Sequence, residues 1–400
     1  MNMEGFDQNN VWRLRLARYF QKALGCAELS PIYLESVQLQ SLFKEFEEGV
    51  TSVCVIGGIM VGKRSFINAL LGDEVLPISD LSIANVIWPI IKYGAIPKTL
   101  LCFQSPFPMD FRENISDDIL NYLKWYNFGK NPYGYDFQIP SLEYSLQGLN
   151  FTNNPIPVEE IVQDNESLRN WLNYAAEKSA FNQIFLYWPS EILKKRISIR
   201  DTQGIKESPV HRRKILKLAS TSDIVILVGS AQLPFGMDEE TIINDMLSSH
   251  NIRISGFVAN GIDLCIRRDR QELYIKSRAS VHVPNNSVFC VSAKEALDAY
   301  KEGNDELLQK SGIPKVKDFI EQLAVGKERE RFIASSKELK EVICNIMLPS
   351  IKSEISKTFG EHRVEKMGNL IFISTELNSV VVGLSKLIDE IETQTSNETK

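Results

Sequence analysis

The run Val53-Cys54-Val55-Ile56-Gly57-Gly58-Ile59-Met60-Val61-Gly62-Lys63-Arg64-Ser65 decides the fold. Four apolar residues stopped by two glycines make the pattern of a buried strand that ends in a turn. The following SFINALLG reads as a helix that starts near Lys63 and stops at Gly72. Between strand and helix stands G-x-x-x-x-G-K, complete at Gly57, Gly62 and Lys63. Glycines there let backbone N–H groups curl around a phosphate. The helix N-terminus adds the positive end of its dipole, and the lysine reaches the terminal phosphates. Gly57, Gly58, Gly62, Lys63, Arg64 and Ser65 are therefore candidate phosphate-binding residues.

The position after Lys63 calls for Ser or Thr, whose hydroxyl binds Mg²⁺, and here it is Arg64. Ser65 comes one residue late, and adjacent helix positions point about 100° apart, so it is no simple substitute. Either Mg²⁺ binding is weakened, or the guanidinium partly replaces the metal.

Three further motifs follow in order, each after an apolar run. Ile197–Arg200 leads into Asp201-Thr202-Gln203-Gly204, a D-x-x-G in which Asp201 can hold Mg²⁺ through water and the Gly204 N–H can sense a terminal phosphate. GFVA leads into Asn260-Gly261-Ile262-Asp263, which has the form of the guanine-reading N-K-x-D with Gly261 in place of the lysine. Asp263 can accept from guanine N1 and N2, but the lysine stem that would stack on the base is missing. VFCV leads into Ser292-Ala293-Lys294, an S-A-K turn whose backbone N–H suits guanine O6. Alone each is weak. Together, in this order and at strand ends, they point to a GTPase fold that takes GTP or GDP.

Around these motifs the chain alternates. Strand candidates are Val86–Tyr93, Leu100–Phe103, Ile184–Trp188, Ile197–Arg200, Asp223–Val228, Ile254–Ala259 and Val288–Val291, with helical stretches at 208–220, 236–249 and 264–279. This predicts an α/β fold, a mostly parallel sheet with helices on both faces. Residues 104–155, rich in aromatics, prolines and glycines, interrupt the rhythm as an insertion, either a cover on the sheet edge or a surface for a partner or lipid. Helical periodicity returns at both ends, over 11–25, 32–48, 327–348 and 370–391, with Pro349 expected to kink or end the third of these.

Composition sets outer bounds. A 400-residue chain exceeds the roughly 250–300 residues at which a single core stops growing. With 45 basic against 51 acidic residues, a net charge of −6 and no Lys/Arg block, it is a poor nucleic-acid binder. The six cysteines are scattered without metal-ligand spacing and read as reduced thiols of a cytoplasmic protein. No basic start precedes an apolar stretch, so no signal peptide is expected, and no run of 18 apolar residues suggests a membrane span.

GGIMVGKRSFINALLGDEVLP and FLYWPSEILKKRISIRDTQGI resemble the corresponding stretches of bacterial dynamin-like proteins, and roughly residues 30–350 can be laid along that family's pattern. The resemblance implies a neck helix region at 1–48, a dynamin-type GTPase domain at 49–313 carrying the insertion, and a C-terminal helical neck or short stalk at 314–400. It implies GTP binding, dimerisation through GTPase domains and membrane remodelling. Members often work as pairs of unlike proteins, so a homo- or hetero-oligomer with a dynamin-like partner and peripheral membrane contact are expected.

The departures fall on chemistry. The dynamin loop reads much like GGQSAGKSS, where a Gln and a Ser help position water and a charge-compensating cation. Here those positions are Ile59 and Met60. A switch threonine is expected in VLPISDLSIANV, which offers only Ser79 and Ser82. With Arg64 and Gly261 these losses predict impaired or absent hydrolysis, because phosphoryl transfer rests on positioning and metal charge. An active but divergent GTPase is the alternative. A translation or ribosome GTPase is disfavoured by the acidic chain and the lack of a basic RNA-binding appendage.

Overall fold

The computed structural model describes residues 3–29, 33–76, 89–103, 156–161, 181–202, 204, 209–250, 252–360 and 364–398. Two compact units divide the chain. One comprises Ser52–Phe319, the other Met1–Thr51 together with Ile320–Lys400.

In the first unit the strand after the N-terminal helices is Thr51–Gly57 (β1), buried at every position. A strand buried on both faces belongs in the middle of a covered sheet, and β1 is sixth of the nine strands among the described residues. In chain order the others are Pro89–Tyr93 (β2), Lys98–Phe103 (β3), Ile156–Ile161 (β4), Phe181–Trp188 (β5), Ile197–Asp201 (β6), Ile224–Ser230 (β7), Gly256–Asn260 (β8) and Val288–Val291 (β9). Their spatial order is β4-β3-β5-β2-β6-β1-β7-β8-β9. The half that carries the motifs is parallel, with β1 beside β7, β7 beside β8 and β8 beside β9. Toward the other edge the sheet turns mixed. β2 runs parallel to β5 but antiparallel to β6, and β3 is antiparallel to both β4 and β5. That antiparallel border, and the strand β4, had no counterpart in the periodicity. The insertion 104–155 lies outside the described residues.

Register brings the motif ends together. Gly57 pairs with Val228, Ser230 with Asn260, and Asn260 with Val291. The carboxyl ends of β1, β7, β8 and β9 thus share one edge, the place where open α/β sheets hold ligands. One face of these strands packs Cys54, Ile56, Leu227 and Phe257 against Ile215, Ile242, Met246 and Ile275 from the helices Pro209–Ser220, Met237–His250 and Arg268–Ala279. The alternate residues Val53, Val55, Ile226 and Val258 are buried as well, so both faces are covered.

The second unit is helical. Met3–Glu28, Tyr33–Glu48, the later part of Ile313–Val342, Leu348–Gly360 and Val364–Glu398 share one core that includes Trp12, Leu16, Phe20, Phe332, Leu339, Ile351, Leu377 and Leu384. Full burial of such side chains contributes about 1.5–3 kcal/mol each. Polar ties fix the register of the first helix. Trp12 Nε1 donates to Glu390 Oε1 at 2.9 Å, Asn9 Nδ2 to Glu328 Oε2 at 2.9 Å, and Arg13 pairs with Glu328.

Of the two outcomes expected at Pro349, a kink or an end, the second does not occur, and one helix differs from its apolar-run reading. Pro349 does not end its helix. A π turn at Ile343–Met347 precedes it, closed by the Leu348 N–H donating to the Ile343 carbonyl, and the helix resumes over Leu348–Gly360. Proline lacks the N–H that would bond the carbonyl four residues back and its ring crowds that carbonyl; the wider π turn relieves both. Lys366–Asn397 is long and apolar enough to cross a membrane by length and composition, though no unbroken apolar run marks it. Its Leu370, Ile373, Leu377, Val380, Leu384, Leu387 and Ile391 recur at helical spacing and are buried in the bundle, while Ile371, Phe372 and Val382 are exposed.

Candidate functional site

The site begins where β1 stops. Gly62 caps the helix Lys63–Leu71 at φ 81°, a left-handed backbone that suits glycine, and a Cβ there would lie 2.3 Å from Asn260 Nδ2. Lys63 is buried and its Nζ donates to the carbonyls of Gly57 at 3.0 Å and Gly58 at 2.6 Å. Burial pulls the Lys63 ammonium down to about 8. Asp201 and Glu239 hold it up, while the neighbouring Arg64 charge pushes it further down. Ile59 and Met60 stand at the tip of the loop, Met60 at φ 60° and 85% exposed.

The D-x-x-G strand end meets this loop directly. Thr202 Oγ1 donates to the Val55 carbonyl at 2.7 Å, tying the turn to β1. Asp201 is buried, and its Oδ2 accepts from Arg64 Nε at 3.1 Å. Its Oδ1 is buried with no hydrogen-bond partner among the described residues. Gly204 lies against the loop tip, since a Cβ on it would come 2.8 Å from Ile59 Cα. Gln203 and the switch serines Ser79 and Ser82 lie outside the described residues.

A divalent cation fits this arrangement poorly. The position after Lys63 supplies no hydroxyl, and the carboxylate expected to reach Mg²⁺ through water already neutralises a resident guanidinium.

At the other end of the edge, Asn260 links three motifs. Its Nδ2 donates to the Val61 and Gly62 carbonyls at 3.3 and 3.4 Å, and its Oδ1 accepts from the Ala293 N–H at 3.0 Å. The S-A-K backbone donor is thereby engaged within the protein. Ser292 is buried and caps the helix Ala293–Glu302 by accepting from the Glu295 N–H. Lys294 is exposed and Ser65 half-buried. Gly261 sits at φ 85°, where a lysine would be strained, and its N–H donates to the Val291 carbonyl at 2.9 Å. The missing lysine is therefore matched by the backbone. Asp263 stays half-buried in the short 3₁₀ turn Ile262–Leu264.

A model of the dynamin family matches residues 53–261, slightly more than half of the chain. The chain belongs to the dynamin family. Dynamin-like protein 1 of Campylobacter jejuni subsp. jejuni serotype O:23/36 (strain 81-176) is 25% identical over 337 residues, covering 78% of this chain and 42% of that protein. The bacterial dynamin-like protein of Nostoc punctiforme is 22% identical over 328 residues, 77% of this chain and 41% of its own length. Two solved chains of an oligomerised bacterial dynamin pair, described as providing a mechanism for long-range sensing and tethering of membranes, share the fold. They are 20% identical, with TM-scores of 0.54 and 0.55, over 97% and 98% of this chain. The chain spans less than half the length of the two sequence relatives and 53% of those solved chains.

Within this dynamin-type domain the structure gathers Gly57, Gly58, Gly62, Lys63, Arg64, Asp201, Gly204, Asn260, Ser292 and Ala293 along one sheet edge. Sequence reasoning missed two members. Glu239, from the helix Met237–His250, is 5% exposed, and a Cβ on Gly58 would approach its Oε1 to 2.8 Å, so a carboxylate backs the phosphate loop. In the run Met237-Asp238-Glu239-Glu240 it reads as one of several charges in an ordinary first helical turn, and only the fold turns it inward. Arg268 donates twice to Glu295, at 3.2 and 2.6 Å, bracing the S-A-K turn. That 27-residue separation carries no local signal.

Proposed function

We propose that the chain is a dynamin-like guanine-nucleotide-binding protein with impaired or absent GTP hydrolysis, which acts as a structural or regulatory subunit of a membrane-associated dynamin-like assembly. The observation that carries this reading is the pairing of Arg64 with Asp201 in a loop otherwise complete for phosphate. The phosphate contacts depend on Lys63 and the loop backbone, and the complete G-x-x-x-x-G-K pattern supports them. Guanine choice depends on Asp263. Hydrolysis depends on an ordered metal and a positioned water, and the loop offers an arginine, an isoleucine and a methionine at the positions where the family pattern has a hydroxyl, an amide and a hydroxyl.

The division into a nucleotide domain over 49–313 and neck helices over 1–48 and 314–400 is part of this proposal, as are its partners. Oligomerisation with like or unlike dynamin-type chains is supported by the likeness to the oligomerised bacterial pair. Residues 301–400 carry 15 basic and 17 acidic side chains and hence no polybasic handle for anionic lipid. We assign the protein to the cytoplasm, with peripheral membrane contact made through the aromatic insertion or through a partner.

A second reading, an active but divergent dynamin-like GTPase that remodels membranes, draws on one observation. Asp201 Oδ1 is a buried acceptor with no partner among the described residues, a place for a metal-bound water. A phosphate-release assay with Mg²⁺, alone and with vesicles, separates the two. Turnover at or below the background of a Lys63→Ala control supports the first, and robust Mg²⁺-dependent turnover replaces it with the second.

A further inference from the structure

We infer that Arg64 takes the place of the divalent cation in this site, so that a nucleoside di- or triphosphate is held without metal. The inference rests on the nucleotide-binding reading above and adds how the phosphate charge is neutralised.

Arg64 is the second residue of the helix Lys63–Leu71, adjacent in sequence to the lysine that reaches the phosphates. Its side chain is 19% exposed and its Nε donates to Asp201 Oδ2 at 3.1 Å, with Asp201 2% exposed. The guanidinium is thus oriented by a buried carboxylate at the end of β6 rather than dangling in solvent. Lys63, Arg64, Asp201 and Glu239 form one charge neighbourhood, because each of the other three acts on the Lys63 ammonium. Arg64 is the permanently charged cation of this group, and Asp201 is already engaged by it. A divalent ion entering would meet the Arg64 guanidinium where the hydroxyl ligand would otherwise stand. A phosphate entering meets that guanidinium as a partner.

The chemistry of the side chain fits the role. A guanidinium stays charged at any physiological pH and presents a planar fork of N–H donors that matches two phosphate oxygens at once. The Nε bond to Asp201 orients the group at the end of β6. Ser65, one position on, points about 100° away around the helix and does not restore the missing hydroxyl.

The test is a titration of the full chain with fluorescent GDP and with a fluorescent non-hydrolysable GTP analogue, each in Mg²⁺ and in EDTA. It is joined by electron paramagnetic resonance of Mn²⁺ added to the protein–nucleotide complex. The wild type is expected to keep its affinity within about threefold on metal removal and to show no protein-bound Mn²⁺ signal, whereas Arg64→Ser should acquire a metal dependence of about tenfold or more. Arg64→Lys, which keeps the charge, should stay metal-tolerant and gives a second variant if the serine form is poorly folded. Binding by the wild type that collapses in EDTA, or a protein-bound Mn²⁺ signal in the wild type, overturns this inference and leaves nucleotide binding intact. Absence of binding in both buffers overturns the nucleotide reading and the inference together.

Discussion

Asn260 accepts the Ala293 N–H on one side of its amide and donates to the Val61 and Gly62 carbonyls on the other. One side chain therefore holds the phosphate loop, the N-G-I-D strand end and the S-A-K turn in a single register. Replacing it by Ala leaves a backbone donor without its partner, at a cost of about 1–3 kcal/mol. Asn260→Asp should be at least as damaging, because it turns a donor facing two carbonyls into an acceptor. Urea unfolding together with nucleotide titration reads both losses. Unchanged stability and affinity in both variants would show that the link is incidental.

In the proposed site Lys63 makes the lysine contact to phosphate. Lys63→Ala should weaken GTP and GDP binding by about 1–3 kcal/mol, the loss of a charge-assisted hydrogen bond. Calorimetry on both proteins provides the measurement, and equal affinities would make the loop a structural relic.

The same lysine makes a pH prediction. Burial lowers its folded-state value from 10.5 to about 8. In the free protein the ammonium is therefore lost as pH rises through 8, and nucleotide affinity should fall across pH 8 to 10. Lys63→Arg should flatten that fall, since guanidinium does not titrate there. For stability the sign is opposite. Between the folded and unfolded values the unfolded chain binds the extra proton, so this group's contribution to stability rises with pH from about 8 toward 10.5. Thermal melts of wild type and Lys63→Met across that range isolate the term as the difference between them.

Guanine preference should reside in Asp263, whose carboxylate can pair with two guanine N–H groups and faces unsuitable groups on adenine. Asp263→Asn is expected to bring GTP and ATP affinities together. A wild type that already binds ATP as tightly as GTP would remove Asp263 from the base site.

The helical unit should depend on Trp12. Its ring is fully buried, Arg329 lies over it with the guanidinium carbon 5.5 Å from the ring centroid, and its Nε1 donates to Glu390. Trp12→Ala should destabilise the bundle by about 3–5 kcal/mol, the range for deleting a large core side chain. Cutting the chain after Val325 removes Phe332, Leu339, Leu377 and the rest of the partner stripe, and should leave Leu16 and Phe20 exposed and the protein prone to aggregate. Differential scanning calorimetry and light scattering check the two. A soluble truncated protein with an unchanged melting profile would refute the shared core.

Local patterns made much of this molecule readable. The apolar run before Gly57, the runs at 224–228 and 288–291, and the glycines and lysine of the loop each have a short-range physical cause: burial on both faces, a turn that lacks a Cβ, and a charge at a helix start. The order of the motifs along the chain was enough to place them at strand ends, because a parallel sheet with right-handed crossovers leaves few alternatives. The same spacing logic marked the apolar stripe of Leu370 to Ile391. What lay beyond reach was whatever depends on residues distant in sequence. Periodicity does not say which neighbour a strand chooses, so the antiparallel border of β3, β4 and β5 emerged only in three dimensions. It does not say how a helix absorbs Pro349, which required a π turn five residues wide. Nor does it distinguish Glu239, turned against the phosphate loop, from the exposed Glu240 beside it. The identity of Arg64 raised two possibilities for the metal position, and composition alone could not choose between them. Tertiary structure brought Asp201 to it across 137 residues of chain, because two adjacent strand ends deliver both groups to one low-dielectric corner where opposite charges must pair.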